Sequence, residues 1–166
     1  PVVRIKDLSG YVRRDGNRYL YGYFEPNPTT FDLNQLAPGF VTDELPPPEE
    51  AMQTAKSNFS QVFPILKDLR IAEYRQGLVG FSPDGQYLLG PVPSMTNLYL
   101  ACGCAALGIA GSAAIGQWVS EWVMDSKTKT DLPMFDHSRF GTDGENLDWV
   151  RQQAISHYVN YYALPD

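Results

Sequence analysis

The sequence predicts a mixed domain, α/β with α+β character, built on a sheet that this chain supplies only in part. Three observations carry the prediction. β-rich runs flank Asp15-Gly16-Asn17, and Asp-Gly between such runs signals a hairpin because the turn needs positive φ. Prolines and acids at Pro46-Pro-Pro-Glu-Glu50 open a segment with Ala51, Ala55, Phe59 and Val62 at helical spacing. The apolar run Leu98–Met124 divides at Cys102-Gly-Cys-Ala-Ala-Leu-Gly108 into strand, small-residue turn and helix.

The elements follow in order. Val2-Val-Arg-Ile-Lys6 alternates and reads as a strand. Gly10–Arg14 and Arg18–Glu25 form the hairpin arms, and Pro26-Asn-Pro28 ends the second. Alternation places Leu20, Gly22 and Phe24 on one face and Tyr19, Tyr21, Tyr23 and Glu25 on the other. Thr29–Pro48 is a surface connection, and a helix is expected over 48–63, broken or kinked at Pro64. Residues 70–79 read as a strand, Phe81-Ser-Pro-Asp-Gly85 as a turn and Gln86–Pro91 as a short extended piece. Asn97–Cys102 reads as a compact strand buried on both faces, running into a helix that ends near Met124. A polar coil over 131–141 and an amphipathic helix over 146–162 close the chain.

Composition narrows the function classes. Hydrophobic residues make up 43% and charged residues 19% of the 166, the balance of a globular domain. The net charge is −6 and no basic run occurs, so no nucleic-acid partner is expected. Leu98–Met124 is long enough to span a bilayer, but the turn splits it, so no membrane partner is expected either. No signal peptide opens the chain, and the expected location is cytoplasmic. Pro1 is not an initiator methionine, which implies sequence upstream. Cys102 and Cys104 stand too close for an easy disulfide and read as buried, reduced thiols. No metal site is expected, since neither His137 nor His157 sits at a ligand spacing. Both histidines read as surface or interface residues, Arg139 as a structural anchor, and no paired carboxylates suit acid–base work.

The sharpest chemical feature is Leu98–Gly116. A helix that starts at a Gly/Ala-rich turn offers free N–H groups and a positive dipole end. Small residues let a flat ligand approach the backbone. On composition alone, close helix–sheet packing without a ligand is the favoured reading, because a lone Gly-rich turn is weak evidence.

The order of motifs resembles the dimethylglycine and sarcosine dehydrogenase family of D-amino-acid-oxidase-like flavoproteins. The matching pieces are Gly22-Tyr-Phe-Glu-Pro-Asn-Pro28, Phe81–Gly85 with Leu89-Gly90, Asn97–Ala101 and Gly103–Gly116. Trp118–Trp122, Asp131-Leu132, Asp136, Ser138–Gly141, Val150–Tyr158 and Tyr162–Pro165 follow in the same order. The resemblance implies a partial FAD-binding fold with antiparallel substrate-domain strands, in a fragment of a larger flavoprotein. Residues 1–75 would belong to the substrate domain and 76–166 to the C-terminal part of the FAD-binding domain. The isoalloxazine ring would lie against Gly103, Leu107, Gly108, Ile109 and Ala110, with backbone N–H groups near Leu107–Ala110 facing its pyrimidine edge. Phe24 and Glu25 would be candidates for the substrate face, although each reads equally as a packing or ion-pairing residue.

The departures are specific. The dinucleotide fingerprint is absent. In sarcosine oxidases of that family a basic residue binds the substrate carboxylate where Ala110 stands; a histidine corresponds to Phe24, and the flavin-tethering cysteine to Gly77. The implied function is oxidation of a small secondary or tertiary amine by hydride transfer to FAD, held by the intact parent and not by this piece alone. The alternatives are a non-catalytic subunit like the regulatory subunit of pyruvate dehydrogenase phosphatase, and a cofactor-free interaction domain. The implied partners are the missing N-terminal half and the amine, with a two-fold homodimer expected for the isolated piece.

Overall fold

The hairpin expected around Asp15-Gly16 is present, shifted by one residue. The structure is a computed structural model that describes residues 1–163. Leu164 and Pro165 of the terminal motif lie outside the described residues. Asp15 pairs with Arg18, so only Gly16 and Asn17 form the loop. Gly16 has φ +62° and Asn17 is not among the positive-φ residues, the pattern of a type II′ turn with glycine first. Asp15 is instead the last strand residue and pairs with the Arg13 guanidinium at 3.1 Å. Gly16→Ala should cost about 1 kcal/mol, because a Cβ is strained at this φ although nothing crowds it. Urea denaturation checks this; an unchanged midpoint would mean the loop relaxes to negative φ.

The described residues divide into two compact units, one of Pro1–Leu78 together with the residues from Val159 onward, the other Val79–Tyr158. In the first, β1 (Val2–Ile5), β2 (Gly10–Asp15) and β3 (Arg18–Tyr23) form an antiparallel meander in that order. The Phe24 N–H donates to the Ser9 carbonyl at 2.9 Å, which carries the pairing one step past β3. The face bearing Val12, Tyr21 and Tyr23 packs on α1 (Glu49–Phe59) around Phe59, Ala55 and Leu66. Phe59 is fully buried, with the Tyr21 and Tyr23 rings edge-on to it at 5.8 and 6.3 Å. Gly10 leaves room for the Phe59 ring, since a Cβ there would lie 2.1 Å from Cζ. On the opposite face the Tyr11 ring covers its cross-strand partner Gly22.

Helix α1 carries Glu49 and Glu50 in its first turn, which suits the dipole, and it ends at Phe59 rather than Phe63. Pro64 explains the early end. Its ring disfavours helical geometry at the preceding residue, and Phe63 has φ −121° and ψ 81°. Pro64 then opens a 3₁₀ turn, Pro64–Asp68, whose Leu66 enters the core. The strand expected over 70–79 does not form. A strand exists only where a neighbour takes its N–H and C=O groups, and no described strand pairs with this segment. It is held by side chains instead: Glu73 meets Arg18 at 3.5 Å and Arg75 at 3.0 Å, and Gln76 donates to the Leu45 carbonyl.

In the second unit, β4 (Leu88–Pro91) and β5 (Tyr99–Cys102) form an antiparallel ribbon. Then come α2 (Gly108–Asp125), two 3₁₀ segments (Pro133–Phe135 and His137–Glu145) and α3 (Leu147–Val159). The apolar run Leu98–Met124 therefore divides as its small-residue turn predicts, and no described helix is long and apolar enough to cross a membrane. The expected burial of this strand on both faces is not met, because Ala101 and Cys102 are exposed and Leu98 is 39% exposed. β5 has one described neighbour, β4, so its other edge has no strand against it. The expectation of buried thiols falls for the same reason: Cys102 is exposed and Cys104 half-buried. The polar coil over 131–141 is instead largely 3₁₀. In α2 the buried Glu121 accepts from Gln117 and from the Lys129 N–H, both at 3.0 Å, fastening the chain that leaves through left-handed Ser126.

Candidate functional site

The turn between β5 and α2 is built from residues that tolerate tight backbone geometry. Gly103, Ala105 and Ala106 all have positive φ, at +66°, +43° and +61°. For alanine this region costs about 1–2 kcal/mol, so surrounding bonds must hold the turn. They do: Ala105 N–H donates to the Gly80 carbonyl at 3.0 Å, and Leu107 N–H to the Cys104 carbonyl at 2.7 Å. The Leu107 carbonyl accepts from Gly111 N–H and from the Tyr87 hydroxyl, each at 3.0 Å.

What remains is a set of unused donors. Leu107 is the N-cap of α2, and its carbonyl already carries the Gly111 bond. Among the described residues, the N–H groups of Gly108, Ile109 and Ala110 meet no backbone or side-chain acceptor. No acidic side chain occupies the first turn, and Ile109 is 95% exposed. Such a helix start presents partial positive charge and directed hydrogen bonds to whatever approaches. Gly103, Leu107, Gly108, Ile109 and Ala110 thus fall in one turn. Leu107 differs from expectation, since its own N–H is spent on Cys104. Tyr87, which sequence reading did not single out, holds this turn from the residue preceding β4.

Phe24 and Glu25 lie in the first unit, directly after β3. Phe24 stacks on Tyr161 at 4.4 Å and meets the Tyr162 ring edge-on at 5.4 Å. The Arg4 guanidinium lies 5.8 Å from the Tyr162 ring centre, and burial pushes the Tyr162 phenol up from its ordinary value. Phe24 is therefore a packed aromatic, and the sequence held no signal for partners so distant along the chain. Tyr21 and Tyr23 turn inward to Phe59, with the Tyr21 hydroxyl on the Met52 carbonyl at 3.2 Å. The strand face on which alternation places Tyr21 and Tyr23 is thus one that packs against the core.

The turn at Phe81–Gly85 is structural. Arg139 grips both Asp84 oxygens at 2.7 Å, donates to the Asp136 carbonyl at 2.9 Å and lies 4.2 Å from the Phe140 ring centre. Asp136 caps the following 3₁₀ segment through the Ser138 N–H. The His157 imidazole lies against Gly85. His137 lines an open cleft of about 640 Å³ with Pro83, Leu88, Phe140 and Val150. Among the described residues no three His, Cys, Asp or Glu side chains group as a metal site.

The β-ribbon and most of the helix whose start bears these unused N–H donors lie within a segment that matches a known family. Residues 1–122 match the family described as FAD dependent oxidoreductase, DAO, and the chain belongs to that family. It is 26% identical over 165 residues to 4-methylaminobutanoate oxidase (formaldehyde-forming) of Paenarthrobacter nicotinovorans, covering 99% of this chain and 20% of that protein. It is 25% identical to human mitochondrial sarcosine dehydrogenase over 99% of this chain and 18% of the other. Against human mitochondrial dimethylglycine dehydrogenase the identity is 26%, over 85% of this chain and 17% of the other. The chain thus spans about a fifth of the length of these relatives.

Proposed function

We propose that this chain is part of an FAD-dependent enzyme that oxidises a small N-methylated secondary or tertiary amine. The carrying observation is the set of unused N–H donors at Gly108, Ile109 and Ala110 beside a turn of glycine and alanine. These donors suit the electron-rich pyrimidine edge of a flavin, and the small side chains leave the backbone open to a flat ring. FAD, when bound, supplies the hydride acceptor. The chain's part is to orient the ring at Gly103–Ala110 and to favour negative charge there through the α2 dipole. The activities of the relatives support an enzyme over a regulatory subunit.

In this reading residues 1–75 contribute to the substrate domain and 76–166 to the FAD-binding domain. Phe24 and Glu25 are the substrate-face candidates of the first. Ala110 offers no charge, so a substrate carboxylate is held elsewhere or is absent. The ADP half of the cofactor falls to sequence outside this chain. The full-length protein should purify yellow and bleach on anaerobic addition of an N-methylated amine, while this chain alone should bind no stoichiometric flavin. A colourless full-length protein that cannot be reconstituted with FAD would overturn the reading, as would flavin held tightly by this chain alone.

A further inference from the structure

We propose that Tyr87 is a positioning residue that tunes the flavin's reduction potential by aiming the Gly108 N–H, an inference that rests on the flavin-facing reading of the β5–α2 turn. Leu107 carbonyl and Gly108 N–H belong to one planar trans peptide and point in opposite directions. Fixing the carbonyl therefore fixes the line of the N–H. The Tyr87 hydroxyl donates to that carbonyl at 3.0 Å, from a residue twenty positions earlier in the chain. A donor on the oxygen also polarises the peptide and strengthens its N–H as a donor.

A separate observation shows that the contact is accommodated by the helix. At Gly111 an added Cβ would lie 2.4 Å from the Tyr87 hydroxyl oxygen and 2.8 Å from Cζ. The hydroxyl reaches Leu107 only because Gly111 has no side chain. The Tyr87 ring is held in turn, edge-on to Phe135 at 5.4 Å, and Phe135 packs against Trp118 of α2 at 5.8 Å. Tyr87 is thus anchored to the body of α2 while its hydroxyl bonds the carbonyl at its start. The Ala110 peptide has a local counterpart, since the Ser112 hydroxyl donates to the Ile109 carbonyl at 2.9 Å, whereas the Gly108 peptide is held from outside α2, by Tyr87.

The test uses the full-length flavoprotein with Tyr87→Phe, which removes one oxygen, and Gly111→Ala, which keeps the hydroxyl but displaces it. Midpoint potential by dye equilibration, the flavin absorption spectrum and thermal unfolding are read together. Both variants should keep flavin and show a more negative potential. Their preference for reduced over oxidised flavin should fall about three- to tenfold, a tenfold change being about 30 mV for a two-electron couple. Unchanged potentials with only a lowered melting temperature would assign the pair a structural role and overturn the proposal. Failure of both variants to fold would do the same. A wild-type protein without flavin would instead overturn the function on which it rests.

Discussion

Replacing Phe59 with alanine should destabilise the first unit by about 3–5 kcal/mol, enough to unfold much of it at ordinary temperature. Phe59 is the largest fully buried side chain among the described residues, and its ring joins the sheet to the helix. Two tyrosine edges meet it, and each such pair adds about 0.5–1.5 kcal/mol beyond burial. The site cannot collapse cheaply. Below the ring lies the backbone at Gly10, pinned by pairing to Tyr23 and Ile5 on either side. The cavity would therefore persist, which places the cost toward the upper end. Leu33→Ala is the control, because Leu33 is 73% exposed and should change stability by less than about 0.5 kcal/mol. Urea denaturation followed by far-UV circular dichroism and tyrosine fluorescence separates the two. Equal losses in both variants would refute this account of the core.

That core was partly legible in the sequence. Ala55 and Phe59 were placed by helical spacing, and Tyr21 and Tyr23 by strand alternation on one face. What alternation could not decide is which face meets the helix, because both faces of β3 carry apolar area. The hairpin was legible to within one residue. Asp15-Gly16 and Gly16-Asn17 are both acceptable turn pairs, and the cross-strand register, not the dipeptide, chose the second. Residues 70–79 show the complementary failure. Their composition suits a strand, but strand formation depends on a neighbour that local sequence does not reveal.

The candidate site divides in the same way. Its small-residue turn was readable between an apolar strand and an apolar helix, but composition alone favoured close packing there over a ligand. Its detailed state was not readable. Left-handed Ala105 and Ala106 are exceptions to propensity that tertiary bonds enforce, and Tyr87 acts across twenty residues. Phe24 illustrates the limit for side chains: its ring partners Tyr161 and Tyr162 come from the far end of the chain.

Arg139→Ala should destabilise the second unit by about 2–3 kcal/mol and change its response to acid. The Arg139 side chain is 13% exposed and Asp84 38%, so the pair is half-sheltered. Loss of one partner from a fully buried pair costs about 3–5 kcal/mol; here the remaining Asp84 regains water and screening trims the loss. Burial alone would raise the Asp84 carboxyl. The Arg139 bond, the Gln86 N–H, the Ser82 hydroxyl and the Arg139 charge together outweigh it and hold the carboxyl at about 2. A carboxyl that ionises more readily folded than unfolded contributes stability that is full above about pH 4–5 and is lost as pH falls toward 2. Asp84→Asn should therefore weaken the unit at neutral pH and flatten its acid dependence between about pH 4 and 2. Trp118, Trp122 and Trp149 all lie in this unit and the other holds none, so tryptophan fluorescence in urea at pH 7 and pH 3 reports on it alone. The wild-type midpoint should fall between those two conditions by more than that of Asp84→Asn. An equal fall in both proteins would show that other carboxylates carry the acid response and that the Arg139 grip on the turn contributes little.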